Sequence, residues 1–334
     1  MRVLFLLQKP YEARKVFGLA EKIWPNAEFS AICVSPLGVY WPALPRGLSW
    51  SDYPHIAPFV QEDFAPPAPN CLFIGLRWNP AVQNFTREWS VDPVQARLWL
   101  KNADRVLSGS GNEFHIDTVC RKIVSKPLAS VAEQFLIVSF DESHVLNALQ
   151  KPTAVGHPDI LKAVDQGRAR NYFHYQFAVN STVILRRTAQ GLTHASAAPV
   201  SKYQLQILQA MGRLPLASEG GWMVRMQDWS GSGRYIDTSE GMGSIKSRVP
   251  ILSGLSDLGW VQRAKGKGPA PLFLTEDGRA FLQRLHPDCW DPDLPFRLAH
   301  WTEQGFAQSK PAMDRYIRTF FGKQKRFLDR LGRL

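Results

Sequence analysis

The chain has 334 residues, with 40 Lys+Arg against 29 Asp+Glu, a formal charge of +11 and an isoelectric point near 9.6; it is long enough for two or three domains that each bury a core. A hydrophobic fraction of 45% and a mean hydropathy of -0.21 exclude a mainly disordered chain, and the N-terminal apolar run Val3 to Leu7 is too short for a signal peptide or a membrane span. The cation surplus selects polyanions, nucleic acid first, through long-range attraction and counterion release, so a cytoplasmic protein with DNA as partner and no membrane partner is expected.

In chain order, Val3–Leu7, Ala31–Val34, Cys71–Ile74, Val106–Ser108 and Phe135–Phe140 are short β-rich apolar runs. Between them Glu12–Ile23, Pro93–Ala103 and Glu113–Ile123 carry helical spacing, which predicts an α/β domain over residues 1–150 with a parallel-rich sheet. Residues 151–239 form a helical segment and a connection. Pro158 to Gly212 is helical in pattern, and Ser201-Lys-Tyr-Gln204 has the form of a capping box ahead of Leu205, Leu208 and Met211. Leu214 to Ser239 is rich in Gly and Ser and predicts an irregular connection with one short strand, Trp222–Met226.

Residues 240–334 begin with helix Ser244–Leu258, strand Gly259–Arg263, a turn holding Lys265-Gly-Lys-Gly268, strand Pro271–Leu274 and a helix opening at Thr275. That is the order of a winged helix, in which a recognition helix precedes a basic hairpin wing. Lys310 to Leu334 is a basic amphipathic helix. Cys33, Cys71, Cys120 and Cys289 are scattered without metal-ligand spacing, so buried thiols are expected, with no metal site and no cofactor.

Three separated stretches resemble type IA DNA topoisomerases. Phe5-Leu-Leu-Gln-Lys-Pro-Tyr-Glu-Ala-Arg14 is similar to the opening strand of that family's Toprim domain, with Lys9, Pro10 and Arg14 matching and Gln8 standing where the family has its catalytic Glu. Ala103 to His115 falls where the family has a strand followed by Asp-Pro-Asp-Arg-Glu-Gly-Glu, and Phe140-Asp-Glu-Ser143 resembles the close of the Toprim region. Gly241-Met-Gly-Ser-Ile-Lys-Ser-Arg248, Leu258-Gly-Trp-Val261 and Leu274-Thr-Glu-Asp-Gly-Arg279 are similar to the family's late helix, strand and turn, and Gln166 to Asn180 to its Arg-rich helix. The resemblance implies a Toprim-like domain, a helical core remnant and a winged helix.

The departures imply a protein without the family's cleavage chemistry. Magnesium needs clustered oxygen ligands, yet Gly109 and Gly111 fall on the two aspartates, His115 falls on the last Glu, and only Glu113 of the expected set remains. The tyrosine motif for covalent strand holding is absent, Tyr316-Ile-Arg318 matching only its last three positions. The family's strand-passage ring would fall between its helical core and its late helix, where only Leu214 to Ser239 lies.

A noncatalytic DNA-binding protein is therefore the expectation, with single-stranded or processed DNA among its targets and a partner protein of DNA transfer or repair as a further expectation. The alternatives are a nicking enzyme with a rebuilt site around Glu113, His115 or Tyr316, and a protein-binding scaffold. The candidate DNA contacts are Lys9, Arg168 and Arg170 from the resemblance, Lys246 and Arg248 at the start of the late helix, and Lys265 and Lys267 on the hairpin. Trp41, Trp50 and Trp78 are candidate stacking aromatics. Asp288, Asp291 and Asp293 lie in a Pro-rich stretch that predicts turns.

Overall fold

The computed structural model describes residues 1–7, 10–33, 45–59, 73–79, 81–82, 84–91, 93–109, 132–135, 141–154, 158–193, 200–234, 241–243, 245–265 and 270–332. These residues divide into two compact units, one of 1–43 with 59–168 and one of 44–58 with 169–334.

The first unit is built on a seven-stranded sheet in the order β4-β3-β2-β1-β5-β6-β7. The strands are β1 Arg2–Leu7, β2 Glu28–Cys33, β3 Phe73–Asn79, β4 Asn84–Val91, β5 Arg105–Ser108, β6 Ala132–Gln134 and β7 Thr153–Ala154. The central four, β2-β1-β5-β6, run parallel, whereas β3, β4 and β7 join antiparallel. The expected parallel-rich sheet is thus a mixed sheet with a parallel centre. Of the expected strand Phe135–Phe140, only Phe135 is described, buried just beyond the end of β6 at Gln134; 136–140 lie outside the described residues.

Helix α1, Pro10–Ile23, returns the chain from β1 to β2. Its Ala13, Val16, Phe17 and Ala20 recur at three- and four-residue spacing and bury one stripe against Val3, Phe5 and Leu7. Helix α3, Glu142–Gln150, adds Val145 and Leu149 to the same core. The rings of Phe17 and Phe135 meet Phe5 edge-on, each at 5.8 Å, a geometry that adds ~0.5–1.5 kcal/mol per pair beyond buried area. Helix α2, Pro93–Asn102, precedes β5.

The second unit is mostly helical, with a small antiparallel sheet of order β8-β10-β9. Its helices are α4, whose 31 residues Pro158–Thr188 begin in the first unit, then α5 Lys202–Met211, α6 Glu219–Gln227, α7 Ile245–Asp257, α8 Glu276–Gln283, α9 Leu294–Gln304 and α10 Phe306–Leu331. The strands are β8 Ala217–Ser218, β9 Val261–Arg263 and β10 Pro271–Leu274. The expected strand at Trp222–Met226 is instead the middle of α6. Ser218 caps that helix by accepting from Gly221 N at 3.2 Å, and Trp222 and Met226, one turn apart, are its buried residues.

Beyond the end of helix α7 at Asp257, Gly259 has a φ of 70°, the left-handed conformation that a helix stop needs. Trp260 N then donates to Leu255 O at 3.2 Å, and the Trp260 ring stacks on Phe281 of α8 at 4.1 Å. Along α4, Phe173 lies 5.6 Å from both Trp301 and Tyr316, and Phe177 lies 5.0 Å from Phe321, so this helix forms the apolar spine of α9 and α10. Two buried amides one turn apart on it bind an extended strap. Gln176 accepts from Ala57 N and donates to Ala57 O, and Asn180 does the same with His55. The strap, residues 44–58, thereby belongs to the second unit. Among the described residues no helix is long and apolar enough to cross a membrane.

Candidate nucleic-acid interface

Two strongly shifted basic groups lie on the second unit, where α4 meets the start of α5. The capping box is present as the spacing predicts: Ser201 Oγ accepts from Gln204 N at 3.2 Å, and Gln204 Oε1 accepts from Ser201 N at 2.9 Å. This cap sets Lys202 in the first turn of α5, and Lys202 is only 6% exposed. Its Nζ lies 2.6 Å from His174 Nε2 and 4.1 Å from the Tyr203 ring centroid. An ammonium has only donors, so the imidazole accepts at Nε2.

Arg170 stands one helical turn before His174. Burial and then Arg170 push the Lys202 pKa down from 10.5 to about 7, and burial, then Lys202, then Arg170 push His174 well below 6.5. The charges that shift these two groups, Arg170 on both and Lys202 on His174, are positive. The amino end of α5 adds further positive potential. Buried charges are ordinarily paired because an isolated ion is costly away from water, so this cluster of nitrogen bases is a candidate place for an anion. Sequence reasoning selected Arg170 and missed Lys202 and His174, which are 28 residues apart in the chain.

The other candidate contacts are spread over α7 and the β9–β10 hairpin. Lys246 lies in the first turn of α7. Arg248 is only 9% exposed, and its guanidinium donates through Nε to Gly243 O at 3.1 Å and through Nη1 to Gln227 Oε1 at 3.4 Å. Its position ties α7 to the preceding loop and to α6. Val249, Pro250, Ser253, Ser256 and Asp257 are the exposed described side chains of α7, and they carry no cation. On the hairpin Arg263 and Lys265 are exposed. Arg263 was not singled out from sequence: strand alternation would put it on the face of buried Val261, and its place at the end of β9, beside the hairpin turn, exposes it instead. Lys267 and Lys9 lie outside the described residues, and Arg168 is half-buried on α4.

At the carboxyl ends of β1 and β5, where the resemblance puts a magnesium site, Leu7 and Phe135 close around Gly109. A Cβ added at Gly109 would meet Phe135 Cζ at 2.5 Å and Leu7 Cδ2 at 2.6 Å. An aspartate there would need this core to move, so the described residues of the edge do not fit a divalent cation. Gln8, Gly111, Glu113 and His115 lie outside the described residues.

Tyr316 is an aromatic of packed α10. Its ring lies against Phe173, Trp301 and Phe320, its hydroxyl is buried, and burial followed by the Asp291 charge pushes its pKa well above 10. A phenol so placed is neither ionised nor open to a phosphodiester.

The acidic loop serves turns and packing. Asp288 pairs with Lys323 at 2.5 Å, Asp291 faces Arg297 at 3.6 Å, and Asp293 accepts from Ser232 N and Oγ. Trp50 is held between Arg187 at 4.3 Å and Lys325 at 5.4 Å, with Nε1 donating to Asp329. Trp78 is on β3, against Phe17; Trp41 lies outside the described residues. Cys33 and Cys289 are buried, and burial pushes Cys289 up to about 12. No protein-family model matches the chain, and no curated protein matches it either.

Proposed function

We propose that the chain binds DNA without cutting it, its second unit gripping the phosphate backbone through the trio Arg170, His174 and Lys202. The observation that carries this reading is the gathering of three nitrogen bases at the start of α5, where burial first and the Arg170 charge second drive the Lys202 ammonium toward its neutral form. A phosphodiester entering there would bring negative charge, take hydrogen bonds from guanidinium and ammonium, and lie at a helix amino terminus, which favours anions. The chain's charge of +11 would add long-range steering.

In this reading the fold is that of a reduced type IA topoisomerase. The parallel β2-β1-β5-β6 centre with α1 supports a Toprim-like unit, and α7, the β9–β10 hairpin and α8 support a winged helix whose wing carries Arg263 and Lys265. Single-stranded or processed DNA is the proposed ligand, with recruitment of a DNA-processing partner as its use. The filled carboxyl edge around Gly109 and the buried Tyr316 hydroxyl favour holding over cleavage. A binding panel of single-stranded, duplex and forked DNA over a range of salt tests the proposal: a steep loss of affinity with salt is expected, and absence of binding to all three would end it.

A further inference from the structure

The first unit holds a cleft that the phosphate-gripping trio does not use. It has a volume of about 460 Å³ and lies at the amino ends of β1 and β2, beside the last turn of α2. The edge where the resemblance implies magnesium is at the other end of the same strands. Its chemically informative lining is Arg2, Glu28, Ser30, Arg77, Trp99 and Asn102.

Strand register explains the gathering. Arg2 pairs with Glu28, and Ser30 pairs with Arg77, so these four side chains share the sheet face opposite the Phe5–Phe17 core, because alternate residues of a strand point to opposite faces. Trp99 and Asn102 come from α2, three residues apart and hence on neighbouring positions of one helix surface.

We propose that this cleft binds one unstacked nucleobase that carries an exocyclic amine. The Arg77 guanidinium lies over the Trp99 ring, 5.1 Å from its centroid, and this pair offers the flat cationic and aromatic surface on which unpaired bases stack. Glu28 is exposed into the cleft, and a carboxylate there accepts from the amine of cytosine, adenine or guanine but finds no donor of that kind on thymine. Ser30 and Asn102 supply further donors and acceptors for a base edge. Arg2 has an exposed side chain, already 3.9 Å from Asp104, and with Arg77 it can meet the phosphate that follows the base. The carboxylate disfavours a bare phosphate inside the cleft, which separates this site from one for simple anions. The volume falls in the ~300–1,000 Å³ range of small-ligand sites. A free nucleotide and a base within a strand present the same chemistry, and the sequence-derived expectation of DNA binding, on which this inference rests, favours the strand.

The test uses the full chain with labelled dC12, dA12 and dT12 in anisotropy titrations at fixed salt, and with dCMP, dAMP and dTMP in calorimetry. The wild type should bind dC12 and dA12 more tightly than dT12. Trp99→Ala should weaken both by about 5- to 150-fold, and Arg77→Ala, which removes an exposed side chain and leaves the core intact, should weaken them in the same order of bases. Glu28→Ala removes a negative charge and so raises affinity for every strand; its informative effect is that the preference over dT12 disappears. If the wild type binds strands, but Trp99→Ala and Arg77→Ala keep its affinity and Glu28→Ala keeps its base ranking, the cleft proposal is overturned while DNA binding stands. If no strand binds, yet dCMP or dAMP binds with dependence on Trp99 and Glu28, the cleft stands and the DNA reading is lost. Failure to bind strands and mononucleotides alike would overturn both.

Discussion

Replacing Lys202 by Met isolates the cost of a buried cation. The folded pKa of about 7 against an ordinary 10.5 corresponds, at ~1.4 kcal/mol per tenfold change in protonation, to about 5 kcal/mol of destabilisation when the ammonium is fully charged. Between those two values the folded protein has released the proton and the unfolded chain still holds it. The unfolded state therefore binds more protons, and stability rises with pH at up to ~1.4 kcal/mol per pH unit. Below the folded pKa both states are protonated and the full penalty is constant.

Met keeps the length and the apolar stem and removes the charge. It also removes the hydrogen bond to His174, a loss of ~1 kcal/mol, but that loss does not vary with pH above 7, where His174 is neutral in both states. The slope is thus the diagnostic quantity. From pH 7 to 9 the wild type should gain roughly 2 to 3 kcal/mol relative to Lys202→Met, or on the order of 5–10 °C in relative melting temperature. The assay is a set of denaturant melts of both proteins at pH 7, 8 and 9. A stability difference that stays constant across this range would refute the reasoning, because it would mean that Lys202 keeps its proton in the folded state.

Gly109→Ala should cost ~1–3 kcal/mol by overpacking, since its Cβ would lie 2.5 Å from Phe135 Cζ, and Phe135→Leu in the same chain should recover part of that loss in denaturant melts; wild-type stability in Gly109→Ala would contradict the packing. Gln176→Ala and Asn180→Ala each leave strap backbone groups without their partners, at ~1–3 kcal/mol apiece, and limited proteolysis should then cleave within residues 45–58; unchanged resistance would mean that the strap is held by other contacts. The purified protein should leave supercoiled DNA unrelaxed and form no denaturant-resistant adduct, and an adduct that vanished with Tyr316→Phe would promote the enzyme alternative.

Much of the fold is legible where one signal dominates. Val3–Leu7 is a continuous apolar run and forms the central strand, and α1 shows its stripe of Ala13, Val16, Phe17 and Ala20 directly. Trp222–Met226 misleads because Trp, Val and Met at alternate positions fit a strand as well as a helix. The Ser218 cap decides for the helix, leaving Val224 58% exposed between its buried neighbours. Strand β4, Asn84–Val91, was not anticipated, since Asn-Phe-Thr-Arg-Glu-Trp-Ser-Val has no apolar run and takes its order from pairing with β3.

The candidate interface is less legible than the fold. The Ser201–Gln204 capping box can be read from four adjacent residues, but the closeness of Lys202 to His174 depends on how α4 and α5 pack. Likewise, Arg248 looks like a phosphate contact from its place at a helix start, until Gly243 O and Gln227 Oε1 are found to hold it. The strap has no local signal, because the amides that bind it come more than a hundred residues later.

The central claim is that phosphates are gripped by the trio on α4 and α5 with help from the hairpin, and salt-dependent binding of a single-stranded oligonucleotide tests it most directly. Each phosphate contact removed should flatten the slope of log K against log salt by ~0.7 for single strands. Arg170→Ala, Lys202→Met and the pair Arg263→Ala with Lys265→Ala, all checked for folding, should each weaken binding and lower that slope, the pair by about twice as much as a single change. Affinity and slope unchanged in all three folded variants would place the DNA, if it binds, on another surface and contradict the account.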